Sequence, residues 1–278
     1  MSPNFHRAEP TEALRPYVEA YHQAESPPGH RIDQRVVPRG RSAMVFTLHG
    51  HYQGTLGDAP LSEIPPAIAH GQFTRYATNR FDDGHLGFLV MLNPIGWHGL
   101  TGHAADQLTN SFIDLEQELP RAARPLGGLL SALRKADGFD ARCRVADDVL
   151  SSVLAQRGPE PPACRLAGRA AANIEAERGR ITVRELAFAM ATTERTLRRA
   201  FDRVVGVSPK TYAAIVRVNR VIGQLHHSPP ENWQDIVDHF GYADQSHFGR
   251  EFRRYTGVSP TTYLPDEHPL ERSFFESG

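Results

Sequence analysis

Arginines recur at helical spacing in two segments of the chain, TERTLRRAFDRV (193–204) and QSHFGREFRRY (245–255), joined in the second by glutamine and serine. In the first, Leu197, Ala200, Phe201 and Val204 form an apolar stripe, which turns Glu194, Arg195, Arg198, Arg199 and Asp202 outward or partly so. In the second, Phe248 and Phe252 take the buried side and leave Gln245, Ser246, His247, Gly249, Arg250, Arg253 and Arg254. A guanidinium fork fits N7 and O6 of guanine, and a carboxamide does the same for adenine, so these faces carry groups suited to reading base edges. A helix with arginines on one face is by itself more often a solvated surface. The frame around the two segments decides between these readings.

That frame is a repeat. The tail GVSP occurs at Gly206–Pro209 and again at Gly257–Pro260, with Tyr212 and Tyr263 after it and Phe201 and Phe252 before it, all 51 residues apart. Leu197 pairs with Phe248 at the same offset, and further upstream Leu186, Ala187 and Ala191 pair with Ile236, Val237 and Gly241 at an offset of 50. A register held by apolar anchors and turn residues together marks a duplicated unit. Thr182 and Asn232 stand where a side-chain oxygen caps a helix start, ahead of VRELAFAM and WQDIVDHF. A tight turn follows at Ala191–Thr192 and Gly241–Tyr242, then a helix from Thr193 to about Val205 and another from about Gln245 to Tyr255. Gly206 and Gly257 suit the position just past a helix end, and Ser-Pro suits the start of the next helix. GVSP is therefore helix punctuation, and each copy is two helices joined by a tight turn, the shape that lays its second helix in a DNA major groove.

Charge agrees locally. The whole chain of 278 residues has a formal net charge of -1, yet Arg178 to Leu264 holds 13 Lys+Arg against 8 Asp+Glu. Such a surplus can neutralise phosphates.

With these residues in place, Ile181 to Leu264, about a third of the chain, resembles the DNA-binding domain of AraC/XylS-type transcription regulators. The segment GYADQSHFGREFRRYTGVSPTTY carries that family's order of glycine-aromatic, aspartate, serine, aromatic, arginine, phenylalanine, Gly-x-Ser-Pro and tyrosine. The resemblance implies two recognition helices entering successive major grooves of double-stranded DNA, joined by a long helix from Pro209 to about Leu225. Family base-reading positions fall on Arg195, Arg198, Arg199, Gln245, Ser246 and Arg250, while Thr182, Arg203, Lys210, Arg253 and Arg254 are the expected phosphate contacts. Ala191, His239 and Gly249 depart from the family pattern.

The elements that must carry this unit read as follows. From about Arg35 to Leu115, short apolar runs such as AMVFTLHG, AIAHGQF and HLGFLVMLNP are bordered by glycine and proline and favour strands. From Leu115 to Gln156, Leu126, Leu129, Leu130 and Leu133, then Val145, Val149, Leu150, Val153 and Leu154, recur at helical spacing and predict two helices. These stripes either pack on their own domain or join two copies of the chain. RGPEPPACR then reads as a linker.

The expected fold class is α+β: a strand-rich domain at 1–155, a small β-barrel among its forms, with a helical hairpin; a linker at 156–165; and an all-α unit of two helix-turn-helix copies at 166–278. The segment VMLNPIGWHGLTGHAADQLTNSFIDL is similar to an uncharacterised strand-rich domain found ahead of such units, which the family layout makes a sensor of a small-molecule effector or a dimerisation domain. RNA polymerase and a second copy of the chain are further partners this layout suggests.

Composition sets the remaining expectations. Hydrophobic residues at 40% and charged residues at 23% suit a soluble protein. The start MSPNFHRAEP lacks the apolar core of a signal peptide, and no apolar run reaches membrane-spanning length, so a cytoplasmic protein without membrane partners is expected. Cys143 and Cys164 lack a paired zinc spacing and read as reduced thiols. Nine of the 14 histidines precede residue 104, with His49 and His51 on one face of a predicted strand, but without a carboxylate at a metal-site interval. No metal or cofactor is expected. An enzyme of the small-barrel type with a DNA-targeting module is the contrasting class; the chain offers it no Gly-rich phosphate loop, no Gly-x-Ser-x-Gly elbow and no metalloprotease His-Glu motif.

Overall fold

The computed structural model describes residues 4–26, 29, 31–81, 84–117, 121–227, 230 and 232–263. The last part of the expected second domain, 264–278, lies outside the described residues.

The first half folds into two antiparallel sheets. Its elements are β1 (Asn4–Ala8), β2 (Val18–Glu25), β3 (Ile32–Val36), β4 (Ser42–His49), β5 (Tyr52–Leu56), β6 (Ser62–Glu63), β7 (Ala67–His70), β8 (Ala77–Phe81), β9 (Leu86–Leu92), α1 (Gly96–Thr101), β10 (Phe112–Asp114), α2 (Leu129–Lys135) and α3 (Gly138–Ala155). The larger sheet has the order β1-β2-β9-β4-β7-β10 and the smaller β3-β8-β5-β6.

Side chains alternate across a strand, so AMVFTLHG and HLGFLVMLNP, apolar at nearly every position, must be covered on both faces. They are. Met44, Phe46 and Leu48 on β4 and Phe88, Val90 and Leu92 on β9 form one core with Trp97, Leu100, Leu130, Leu133, Leu150 and Val153 of the helices. The alternate residues Ala43, Val45, Leu89 and Met91 face the smaller sheet across a cavity.

Strands begin earlier than the pattern from Arg35 predicts. β1 and β2 precede it because VEAYHQAE buries polar side chains, among them His22 and Gln23, and so lacks an apolar signature. His49 and His51 do not share a strand face: β4 ends at His49 and β5 starts at Tyr52, so His51 lies in the turn by which the chain passes from the larger sheet to the smaller. Among the described residues no three of His, Cys, Asp and Glu come together as a metal-holding group. Leu126, Leu129, Leu130, Leu133, Leu150 and Val153 are buried in their own domain's core, with Val145, Val149 and Leu154 partly buried against it. Those stripes are therefore not apolar surface on offer to a second copy.

The second half is helical: α4 (Pro162–Ala176), α5 (Val183–Ala189), α6 (Glu194–Val205), α7 (Pro209–His227), α8 (Trp233–Phe240) and α9 (Gln245–Thr256). Pro162 occupies the first turn of α4, where its missing N–H costs nothing, so the helix starts inside the stretch expected as linker and Cys164 lies within it. Among the described residues no helix is long and apolar enough to cross a membrane.

Candidate nucleic-acid interface

Local chemistry builds each copy of the repeat in the same way. The Thr182 hydroxyl accepts from the Glu185 N–H at 3.2 Å while the Glu185 carboxylate takes the Thr182 N–H at 2.9 Å, a capping box that starts α5. Thr193 caps α6 through Thr196 N–H, Asn232 caps α8 through Gln234 N–H, and Asp244 caps α9 through His247 N–H. Gly206, Gly241 and Gly257 end their helices in the left-handed conformation. Ala191, at the first turn, adopts φ 50° without being glycine.

Buried stripes match the spacing. Leu197, Ala200, Phe201 and Val204 pack with Leu186, Ala187 and the α4 residues Ala170 and Ile174. Phe248 and Phe252 pack with Ile236, Val237, Ile215 and Ile222 in a second core. The long helix α7 belongs to both cores and so links the copies.

The opposite faces are exposed. Arg195, Arg198 and Arg199 on α6 and Gln245, Ser246 and Arg250 on α9 all reach solvent. Arg198 rests on Glu194 at 2.8 Å, and the Gln245 carboxamide donates to the Gln234 side-chain oxygen at 3.1 Å. Gly249 opens onto empty space. Lys210, Arg203, Arg253 and Arg254 are exposed, with Arg254 over the Tyr255 ring at 5.6 Å. Thr182 is exposed too, but its hydroxyl donates to Glu185 Oε2 at 2.8 Å, so a phosphate would have to displace that carboxylate.

Several contacts around these helices carry no sequence signal. Arg217 on α7 donates to both oxygens of Glu251 at 3.0 and 3.1 Å and lies over the Tyr242 ring, which ties α9 to the linking helix. Arg180 donates to the His239 carbonyl at 3.2 Å, tying the first copy to the end of α8. Phe188 is 88% exposed, an unusual position for a large apolar side chain.

Both copies also touch the strand-rich domain. The Thr109 hydroxyl donates to the Gly206 carbonyl, and a Cβ at Gly206 would lie 2.9 Å from the Ala105 carbonyl oxygen. At Gly257 a Cβ would meet the Tyr76 ring at 2.6 Å. Each glycine of GVSP is thus a seat for the other domain as well as a helix stop. Between them, Arg41 pairs with Glu19 and, at 2.9 Å, with Glu175 on α4, and donates to the Tyr212 hydroxyl on α7 at 3.1 Å. Burial would raise the Glu19 pKa, but Arg41 outweighs it and holds the carboxyl below its usual value. Burial pushes the Tyr212 phenol up against the pull of Arg41, so the hydroxyl stays protonated and donates to Glu175.

Residues 186–265 match the family model described as a helix-turn-helix domain. That stretch is a helix-turn-helix domain. Ahead of it, residues 6–114 match a domain of unknown function (DUF6597). A curated relative, the uncharacterised HTH-type transcriptional regulator YidL of Escherichia coli (strain K12), is 28% identical over 96 residues. That match covers 34% of this chain, which spans about a third (32%) of the relative's length. Among solved structures, ToxT from Vibrio cholerae aligns over 93% of this chain and 98% of its own with a TM-score of 0.46 and 10% identity. The AraC-like transcriptional activator CuxR aligns over 80% of this chain and 96% of its own, with a TM-score of 0.26 and 14% identity.

Proposed function

We propose that this chain is a sequence-specific DNA-binding transcription regulator whose strand-rich domain controls the AraC-type unit by taking up a small molecule. The observation that carries the reading is the pair of capped helices, α6 and α9, in duplicated frames with arginine and glutamine facing solvent. Arg195, Arg198 and Arg199 read bases in one major groove and Gln245, Ser246 and Arg250 in the next. Arg203, Lys210, Arg253 and Arg254 hold phosphates and supply affinity that falls with salt. Thr182 does so only where a phosphate replaces the Glu185 carboxylate. Double-stranded DNA in the cytoplasm is the target, and RNA polymerase is a partner at the promoter. Control by a small molecule is favoured over dimerisation through α2 and α3, whose apolar stripes are buried at home.

An enzymatic role is not part of this reading. Cys143 and Cys164 are buried free thiols whose pKa burial pushes up to about 12, which leaves them poor nucleophiles.

The test is a genome-wide selection of bound fragments with the full-length protein and with the Arg198→Ala/Arg250→Ala variant. Two half-elements about one helical turn apart, lost in the variant, are expected. Each single change should cost about 1 to 3 kcal/mol on the selected site and relax preference locally, whereas Arg253→Ala should weaken binding evenly across sequences. Equal losses on selected and random DNA for Arg198→Ala would remove the base-reading role.

A further inference from the structure

The two sheets enclose a cavity of about 420 Å³, the size of a small-molecule site. Its walls include Val36, Leu56, Ile68, Phe81, Leu89 and Met91, and Tyr52 stacks on Phe81 with centroids 5.1 Å apart, so the lining is apolar and partly flat. Among the polar atoms of its lining is a side-chain oxygen that the fold leaves without a hydrogen-bond partner. Gln34 is 3% exposed, it faces the cavity, and its side-chain oxygen has no hydrogen-bond partner. Leaving such a group unpaired is costly, which makes it a place where a ligand's N–H or O–H is wanted.

Charge narrows the ligand class. Among the described residues no aspartate or glutamate lines the cavity. The two guanidiniums at its wall, Arg39 and Arg41, are matched by two carboxylates, Glu19, whose charge both feel, and Glu175, which pairs with Arg41. An ionic ligand would enter an apolar space without an unbalanced counter-charge, at a large desolvation cost.

Position links the cavity to the helices. Val36 to Arg39 and Arg41 line it, and the same stretch holds α7: Val37 is part of the α7–α9 core, the Pro38 carbonyl accepts from Asn219 at 2.7 Å, and Arg41 reaches Tyr212. Ala77 lines it beside Tyr76, the seat of Gly257, and Asn110 lines it beside Thr109, which holds Gly206. Pro38, Arg41, Tyr76 and Thr109 are therefore within the cavity wall or one residue from it, while Ala105, the other seat of Gly206, lies outside it.

We propose that this cavity binds a neutral, mostly apolar small molecule that donates a hydrogen bond to Gln34, and that the 36–41 segment with Tyr76 and Thr109 transmits its presence to α7 and to the ends of α6 and α9. The regulatory half of this inference rests on the DNA-binding reading; the binding half does not.

N-phenyl-1-naphthylamine, which is neutral, flat and carries one N–H, is the probe, and its sulfonated relative 1-anilinonaphthalene-8-sulfonate is the anionic control. Fluorescence titration of the full-length protein without DNA should give one saturable site for the neutral probe and at least about tenfold weaker binding of the anion. Gln34→Leu should weaken the neutral probe about tenfold while raising the melting temperature of the unliganded protein, because it removes an unpaired buried oxygen. A merely structural Gln34 would give the opposite shift in melting temperature. Ala43→Phe should abolish binding by filling the space. No saturable site, equal binding of the anion, or an unchanged Gln34→Leu would overturn the site.

Hydrogen exchange then reads the coupling. The probe should slow exchange in 36–41 and α7 of the wild type, and in Asn219→Ala, which removes the α7 bond to the Pro38 carbonyl from outside the cavity, it should bind normally while leaving α7 unchanged. Protection confined to the sheets of the wild type would overturn the relay. Because neither measurement uses DNA, failure here is separable from failure of the fragment selection.

Discussion

In the first helix-turn-helix copy α5 starts with a two-way cap, Thr182 with Glu185, and its turn forces Ala191 into φ 50°; in the second, Asn232 caps α8 alone and Gly241 takes the turn at φ 70°. α9 is tied to α7 by Arg217 and Glu251, whereas α6 packs on α4 and meets the 3-10 turn at Ala105–Leu108. What the copies share is what the backbone demands: a cap, an apolar stripe and a left-handed stop. They differ where side chains meet water or another domain, so duplication preserves the frame and leaves the faces to diverge.

That comparison can be broken most directly in the cores. Phe201→Ala and Phe252→Ala remove fully buried rings and should each cost about 3 to 5 kcal/mol in urea unfolding. A much smaller loss at one of them would mean that the two cores are not equivalent. The helix stops come next. Gly206→Ala combines left-handed strain with a Cβ 2.9 Å from a carbonyl oxygen that cannot swing away, and should cost about 2 to 3 kcal/mol. Gly257→Ala meets the Tyr76 ring, which can move, and should cost about 1 to 2 kcal/mol. Gly128→Ala, at φ +88° with nothing within 4 Å, isolates the strain and should cost about 1 kcal/mol.

The turns give a mirrored pair. Ala191→Gly should stabilise by about 1 kcal/mol, and Gly241→Ala should destabilise by a similar amount, both read from the shift in urea midpoint. The same sign at both positions would contradict the pairing of the turns. Caps should show the smallest effects: Thr182→Ala about 1 kcal/mol and Asn232→Ala about 0.5 kcal/mol, measured in the same way.

Much of the helical half was legible in the residues. Thr182, Gly206, Gly241 and Gly257 act within a few residues of themselves, so their roles can be read from a short window, and the stripe through Leu197 and Phe201 follows from the helical period. The strand-rich half was legible only where apolar runs were long. β2 hides because His22 and Gln23 are buried although polar, and only its pairing with β9 shows why. Gln34 and Arg41 were not legible at all. Their roles depend on which distant strands and helices surround them: Glu175 and Tyr212 lie 134 and 171 residues from Arg41. A single sequence holds no local trace of such an encounter.

The linking helix α7 contains 19 residues and is therefore about 28 Å long. It fixes two unlike faces, one with three arginines and one with glutamine, serine and arginine, at a set separation and on one chain. Under the DNA-binding reading such a molecule has a head and a tail. It needs no palindrome, and it lies on an asymmetric site in one orientation only, so inverting the site would turn the whole protein round. Direction along the DNA, and with it the neighbour that the strand-rich domain faces, is written into the difference between α6 and α9.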